Sequence, residues 1–587
     1  MCGIAGYFLK PGQPHPGGCL GRMRQALKHR GPDGEGERRL GQAGFAHTRL
    51  SIIDLADGAQ PFVKGNHMLI ANGEIYNHED LRHDLSYAFE SRSDCEVALP
   101  LWQKEGPDFV RKLRGMYALA LYDKGNDRGL LARDPFGIKP LYYIETPAGL
   151  FFASEIRALR EAGLLRDEAP SRLQGAYILD RQYAPVSPFE NVRRVMPGEV
   201  LEIQAGSIIS RHRDRPLETD MSEEASLQRL DRMLESSIQA HLLSDVPYGM
   251  FLSGGVDSAC ILAMMARLNT APVNAYTVVF DTAGQGRSVD ESRLASHLCE
   301  KLGARHSVVP FGADDFDRIA GLAALACDDP VADYAILPTL HLAKRAAEDV
   351  KVILSGEGGD EFFAGYGRYR SATGIFRSKP MRRPGPALRA DILQPDLAQS
   401  LRQDMYQRAD KGIPLIQRIL EPDASLRQVQ ARDIEEWLPD NLLIKLDRCL
   451  MRHGVEGRTP FIDRELSAYG YHLPRREKIN SRQGKFLLKT WLHRELPEAE
   501  AFSRKRGFTV PVGEWIAQRA DTLVPLLRLQ PGLSSLVREG ALEPVIRKAA
   551  HGQGQLAWRL LFYALWHQIH IGGVAADQPI RDILAAR

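Results

Sequence analysis

The segment Gly249–Leu268 restricts the fold more than any other part of the chain. A short apolar strand, Gly249–Leu252, runs into a glycine loop, Ser253-Gly254-Gly255-Val256-Asp257-Ser258, and then directly into a helix. On that helix Ile261, Leu262, Met265 and Leu268 fall on one face. Val273–Phe280 and Val350–Leu354 are further β-rich runs, separated by helical stretches, and Leu227–His241 carries apolar residues at helical spacing. Strand–helix alternation of this kind predicts a doubly wound parallel sheet, which binds ligands beyond the carboxyl ends of its strands. Past Arg370 the pattern is mostly helical with prolines as punctuation, and Ser371–Pro395 is basic, Pro-rich and weakly patterned.

The first two hundred residues have another texture. Gly3–Phe8, Gly44–Arg49, Met68–Ala71, Met116–Tyr122, Gly129–Ala132 and Leu150–Ala153 read as short strands between Gly, Pro and Asp turns, with helical stretches such as Cys95–Glu105 interleaved. This predicts an α+β unit with antiparallel strands, sheet on sheet. A chain of 587 residues is too long for one ordinary core. The polar stretch Ala205–Glu218, with Gly206 and Pro216, reads as a connection. The expected division is therefore 1–205, a linker at 206–221, and 222–587.

A formal net charge of +2 gives no general case for nucleic acid or an acidic membrane surface. The local run Arg504-Lys505-Arg506 suits a solvated face or an anionic substrate. Seven scattered cysteines without a Cys-x-x-Cys pair argue against a zinc site and a disulfide framework, and a reducing cytoplasm fits them. The N-terminal twenty residues lack the apolar core of a signal peptide, and no apolar run approaches a membrane span.

The chain begins Met1-Cys2-Gly3-Ile4. Methionine before a small residue is normally removed, which would leave Cys2 with a free α-amine able to accept the proton of its own thiol; the thiolate is the nucleophile. Alone, Cys2 is an unremarkable terminal cysteine. Farther on come Arg49-Leu50-Ser51-Ile52-Ile53, then Asn72-Gly73-Glu74-Ile75-Tyr76-Asn77, then Ser93-Asp94-Cys95-Glu96, in that order. Asn72, through its side-chain amide, and Gly73, through its backbone N–H, suit an oxyanion hole. Arg49 suits a bidentate grip on a carboxylate, and Asp94 suits an ammonium group. Over roughly the first 200 residues this ordered set resembles the class II glutamine amidotransferases, which share an N-terminal-nucleophile domain. The resemblance implies a cysteine glutaminase with Cys2, Asn72 and Gly73 catalytic, and with Arg49, Leu50, Ser51, Ile52, Ile53, Asn72, Gly73, Glu74 and Asp94 binding glutamine. Arg133–Tyr142 also resembles the family and reads as a structural turn and domain contact.

The loop Ser253–Ser258 follows a strand and opens a helix, so its N–H groups and the helix N-terminus favour an anion. The Gly-Lys-Ser/Thr element of a Walker A loop is absent. It resembles instead the pyrophosphate loop of enzymes that split ATP to AMP and pyrophosphate. Ser355-Gly356-Glu357-Gly358-Gly359-Asp360-Glu361 follows the strand Val350–Leu354, again at a strand's carboxyl end. The resemblance implies that Leu252, Ser253, Gly254, Gly255, Asp257, Ser258, Val278, Ser355 and Gly356 hold ATP. By the same resemblance Glu357 and Lys485 lie near the reacting groups, and Asp257 and Asp360 hold Mg²⁺. Asp290 is a weaker candidate.

Taken together, the two halves resemble glutamine-hydrolysing asparagine synthetase over most of the chain, Asn441–Asp463 and Phe502–Trp515 included and Ser371–Trp437 least. A carboxylate has no useful leaving group for ammonia; an acyl-adenylate has. The implied chemistry is glutamine hydrolysis at Cys2, adenylation of aspartate, and displacement of AMP by ammonia kept out of bulk water. Small-molecule partners (glutamine, ATP, and aspartate or another carboxylate) and a homodimer follow from the same resemblance. Asp329-Pro330-Val331-Ala332-Asp333-Tyr334 departs from the aspartate-type pattern, because Tyr334 cannot supply the charge of an arginine. Cell-wall diaminopimelate and small peptides are the alternative acceptors, with Arg368 or Arg370 as substitute cations. A glutaminase with an inactive second domain is disfavoured by the intact Ser253–Ser258 loop. A β-lactam synthetase-like enzyme is disfavoured by Cys2, Arg49 and Asp94, and a non-catalytic assembly protein by both sets of residues.

Overall fold

A computed structural model describes residues 2–166, 168–218, 226–281, 291–374, 384–407, 413–481, 483–503 and 510–586. Asp290, the run at 504–506, and 375–383 within the basic Pro-rich stretch lie outside the described residues.

The N-terminal strands are β1 (Cys2–Leu9), β2 (Gly34–Leu40), β3 (Ala43–Arg49), β4 (Phe62–Lys64), β5 (His67–Ile75), β6 (Gly115–Asp123), β7 (Arg128–Arg133), β8 (Tyr142–Thr146), β9 (Gly149–Ala153), β10 (Val192–Arg194), β11 (Glu199–Gln204) and β12 (Ser207–Arg213). They form two antiparallel sheets, ordered β10-β8-β9-β1-β3-β2 and β12-β11-β7-β6-β5-β4. Period-two alternation explains the layering. Ile4 and Phe8 of β1 share an inter-sheet core with Met68, Ile70, Ala118 and Leu131. Ala5, Tyr7 and Leu9 point the other way, onto the helices Cys19–Ala26 and Ile156–Glu161. The outer face of the second sheet, including Leu69, Ala71, Leu119 and Leu121, packs on helix Ala98–Glu105. Phe8 stacks on Phe152 at 5.5 Å and meets Phe45 edge-on at 5.5 Å. Burial of such a side chain contributes about 1.5–3 kcal/mol.

The C-terminal half is built on a parallel sheet, β15-β14-β13-β16-β17, from β13 (Tyr248–Phe251), β14 (Asn274–Phe280), β15 (Arg305–Phe311), β16 (Val352–Leu354) and β17 (Glu456–Arg458). The chain adds strands on one side of β13 and then returns to add β16 and β17 on the other. This reversal puts the switch point between β13 and β16, where a parallel sheet opens a crevice. The apolar helix Gly554–His570 is buried against helix Ala313–Ala326 and against helix Arg172–Arg181 of the N-terminal half, so one core spans both halves. No described helix is long and apolar enough to cross a membrane.

The expected linker differs from the structure. Residues 207–213 form β12, hydrogen-bonded to β11 as the edge of the second sheet. The hairpin turn is Ala205-Gly206, both at positive φ, and a Cβ on Gly206 would lie 2.6 Å from backbone atoms of Leu9 and Lys10. The polar, charged β12 is a half-exposed edge strand, which gives it the composition of a linker. Residues 219–221 lie outside the described residues.

Candidate functional site

The inward parity of the sandwich continues into a polar mouth at one end. Phe45, Met68 and Ile70 face the inter-sheet core, so two-residue steps place His47 and Arg49 on β3, and Asn72 and Glu74 on β5, on that same side. Cys2 opens β1 directly opposite Arg49. Its backbone nitrogen donates to Asn72 Oδ1 at 3.1 Å, and Arg30 Nε donates to its carbonyl at 3.2 Å. Asn72 is fully buried, and among the described residues its Nδ2 has no hydrogen-bond partner. Gly73 cannot be replaced: an added Cβ would lie 2.1 Å from the Met116 carbonyl oxygen. The Cys2 thiol is pushed up by burial, offset in part by the terminal ammonium, the Leu50 N–H and Arg49.

Arg49 Nη2 donates to the carbonyls of Ile53, at 3.4 Å, and of Asp54. Asp94 is buried, with Oδ2 accepting from Ile75 N at 2.7 Å and from Cys95 Sγ at 3.3 Å. Glu74 is buried, with Arg458 Nη2 at 3.3 Å from Oε2; burial and Asp94 push its carboxyl above the usual range, and Arg458 opposes them. Ser51 N donates to Asp33 Oδ2 at 2.8 Å. The side chains of Leu50 and Ile52 go into an apolar cluster shared with the C-terminal half, with Ile53 packed against it. Their outlet towards a ligand is the backbone.

At the other site, the loop after β13 folds on its own serines. Ser253 N and Oγ both lie 3.3 Å from Ser258 Oγ, which donates to Gly255 O at 3.1 Å. Gly254 takes φ +71°. The loop after β16 presses against Asp257: a Cβ on Gly356 would sit 2.9 Å from Asp257 Cβ, and one on Gly359 2.4 Å from its Oδ1. Lys485, buried at a left-handed residue just before helix Phe486–Glu495, reaches Asp257 Oδ2 at 2.5 Å and Asp360 Oδ1 at 2.9 Å. Burial alone would lower its pKa, but the two carboxylates raise it. The pair of carboxylate donors fits a hard divalent cation that completes its shell with substrate phosphates and water. Ser355 Oγ donates to Glu357. Leu252 is buried at the end of β13 beside β14, which carries Val278.

Sequence reasoning passed over several residues joining the sites. Arg458, on β17, donates to the His241 and Leu243 carbonyls at 2.8 and 2.6 Å and lies 2.5 Å from Glu456. Burial raises Glu456, but Arg458 and neighbouring cations hold it at about 2. Lys139 Nζ donates to Gly457 O at 3.2 Å, while Asp134 accepts the N–H groups of Phe136, Ile138 and Lys139, so Arg133–Tyr142 is a turn that touches the other half. In the acceptor stretch, Asp329 is clamped by Arg194 at 2.7 and 2.8 Å and by Tyr142 OH at 2.9 Å, and Asp333 takes Lys445 at 3.0 Å. Arg368 is bound to Asp433 at 2.8 Å and stacked on Tyr366 at 3.7 Å, so it is not a spare acceptor cation. Buried charges on a three-residue strand leave no periodic signal; only the likeness of Asn441–Asp463 to the family pointed there.

Residues 229–568 match the asparagine synthase family model, and residues 1–213 match the glutamine amidotransferase domain. The chain belongs to the asparagine synthase family. Asparagine synthetase [glutamine-hydrolyzing] 1 of Bacillus subtilis is 29% identical, over 97% of both chains. Asparagine synthetase B [glutamine-hydrolyzing] of Escherichia coli is 29% identical, over 89% of this chain and 84% of its own. Amidase chyE of Penicillium rubens is 32% identical over 63% of this chain. The asparagine synthase match takes in every strand of the parallel sheet together with both loops at its switch point.

Proposed function

We propose that the chain makes asparagine from aspartate, ATP and glutamine, releasing AMP, pyrophosphate and glutamate. The observation that carries this reading is the buried Asn72 amide, fixed by Cys2 N and with Nδ2 unpartnered among the described residues, in the same chain as a serine-lined anion loop backed by Lys485.

In this reading the α-amine of Cys2, freed by loss of Met1, takes the thiol proton. Sulfur attacks the glutamine side-chain carbonyl, Asn72 Nδ2 and the Gly73 N–H hold the oxyanion, the α-ammonium returns its proton to the amide nitrogen, and ammonia leaves as the C–N bond breaks and the thioester forms. Arg49 and Asp94 hold the α-carboxylate and α-ammonium; water then frees glutamate. At the parallel sheet, Ser253, Gly255 and Ser258 hold phosphate oxygens, and Leu252 and Val278 flank the adenosine. The acceptor carboxylate attacks the α-phosphorus and expels pyrophosphate, and Lys485 neutralises charge building on the leaving group. Ammonia attacks the acyl carbon and AMP departs. Asp257 and Asp360 would hold Mg²⁺, which when bound screens phosphate charge. A cytoplasmic setting and a homodimer belong to this proposal; sedimentation measures the latter.

A second acceptor is favoured by one observation: Asp329–Tyr334 contains no arginine, and Arg368 is bound to Asp433. Diaminopimelate or a small peptide would then replace aspartate. The test is pyrophosphate release with mass detection of product, given ATP, Mg²⁺ and glutamine, with and without aspartate. Aspartate-dependent pyrophosphate with asparagine supports the first reading. Glutamine hydrolysis without aspartate dependence moves the search to the other carboxylates.

A further inference from the structure

Helix Ile444–Met451 belongs to the C-terminal half, yet two consecutive charged residues on it end inside the N-terminal half. Asp447 grips Arg30 with both oxygens, Oδ2 to Nη1 at 2.8 Å and Oδ1 to Nη2 at 3.0 Å. The remaining nitrogen of the fork, Nε, donates to the carbonyl oxygen of Cys2 at 3.2 Å. Both side chains are buried, Arg30 completely and Asp447 to 3% exposure. Arg448, the next residue, anchors the helix by ion pairs to Asp328 at 2.9 Å and Glu155 at 3.5 Å. Glu155 also accepts from Arg30 Nη1 at 2.9 Å.

A guanidinium is a rigid planar fork, so a two-point clamp on Nη1 and Nη2 fixes the direction of Nε. Glu155 alone cannot do this, because it meets only Nη1. Without the Asp447 charge the fork is drawn towards Glu155 and turns in its plane, and its hold on the Cys2 peptide goes with it. The residue held by that carbonyl, Cys2, carries the nucleophile and meets Asn72 Oδ1 through its own nitrogen; a misplacement of about 1 Å at a reacting group can cost about 10²-fold in rate.

We infer that Asp447 is a positioning residue for glutamine hydrolysis, supplied by the opposite half of the chain: through Arg30 it holds Cys2 in register with the Asn72 amide and the Gly73 N–H. This rests on the glutaminase reading above. The site around Cys2 is then incomplete without helix Ile444–Met451, although no residue of that helix touches glutamine.

The test uses the full-length chain with Asp447→Asn, Arg30→Met and the double variant. Glutamine hydrolysis is followed with kcat and KM separated, and ammonia-dependent pyrophosphate release and the urea midpoint are measured alongside. Asp447→Asn should lower kcat for glutamine hydrolysis about 10- to 100-fold, with KM and ammonia-dependent synthesis within about threefold of wild type. Adding it to Arg30→Met should cost nothing further, because the two act as one unit. Arg30→Lys, which keeps the buried charge but lacks the Nε donor, should fold and lose the same kcat. Asp447→Asn hydrolysing glutamine at the wild-type rate overturns the inference, as does a parallel fall of both activities with the urea midpoint, the mark of a purely structural bridge. A wild-type chain unable to hydrolyse glutamine overturns the glutaminase reading itself, and this inference with it.

Discussion

Cys2 N donates to Asn72 Oδ1 across 3.1 Å, and this one contact decides which way the amide points. With oxygen turned to the β1 terminus, Nδ2 faces away from it, buried and without a partner among the described residues. An unmade bond from a buried donor costs about 1–3 kcal/mol, so the sandwich carries a small destabilisation at the position where an oxyanion would relieve it.

Asn72→Ala should therefore cut the rate of glutamine hydrolysis about 10²–10³-fold, the usual loss for one oxyanion donor. Ammonia-dependent pyrophosphate release should persist. Parallel assays with glutamine and with ammonium chloride check this, and equal loss of both would remove Asn72 from the oxyanion hole.

The inner face of the sandwich was legible because apolar parity runs straight into the polar mouth, so Cys2, Arg49 and Asn72 follow from the same alternation as Ile4, Phe45 and Ile70. The strand, loop and helix around Ser253–Ser258 were legible because they are contiguous in the chain. β12 was missed because a half-exposed edge strand shares its composition with linkers. β17 was missed because three residues cannot display a period, and two of them are buried charges, Glu456 and Arg458. Arg30 and Asp447, 417 residues apart, are joined only by tertiary packing.

Three buried histidines lose their contribution to stability as pH falls. Burial pushes His47 down to about 3, and His241 and His570 down to about 4, from an ordinary 6.5. Between pH 6.5 and 4 the unfolded chain binds the extra protons, so the contribution of these histidines is complete above 6.5 and is lost as pH falls through that window, while Glu361 and Asp440, pushed up to about 7 and about 6 by burial, act in the opposite sense. Each such histidine contributes a slope of about 1.4 kcal/mol per pH unit. His241 Nδ1 lies 2.7 Å from the Ser237 carbonyl oxygen, a bond that an asparagine amide can also make. His241→Asn should reduce the acid slope of urea-derived stability by about that one-histidine amount; an unaltered slope would remove His241 from the account.

Arg448 is completely buried among Asp328, Glu155 and Asp447, at 2.9, 3.5 and 3.3 Å. Arg448→Met removes the cation and strands carboxylates that remain out of water. Breaking a buried ion pair from one side costs about 3–5 kcal/mol, and the urea midpoint should fall accordingly. A change confined to a few tenths of a kcal/mol would mean that Arg157 and Arg30 neutralise the cluster by themselves.

Lys485 stands between Asp257 and Asp360, and Gly365 makes room for it: a Cβ there would lie 2.3 Å from Lys485 Cε and 1.8 Å from Asp360 Oδ1. Lys485→Met keeps the length of the side chain and removes the charge that, in the proposed reaction, neutralises the leaving group. Ammonia-dependent pyrophosphate release should fall about 10²–10³-fold. Lys485→Arg should not restore it, because a planar guanidinium cannot set one nitrogen between Asp257 Oδ2 and Asp360 Oδ1 as the ammonium does. Glutamine hydrolysis at Cys2 provides the control, since Lys485 belongs to the other site. If Lys485→Met releases pyrophosphate at the wild-type rate, the lysine serves only to keep the two carboxylates apart, and the charge that meets the phosphates has to come from elsewhere in the crevice.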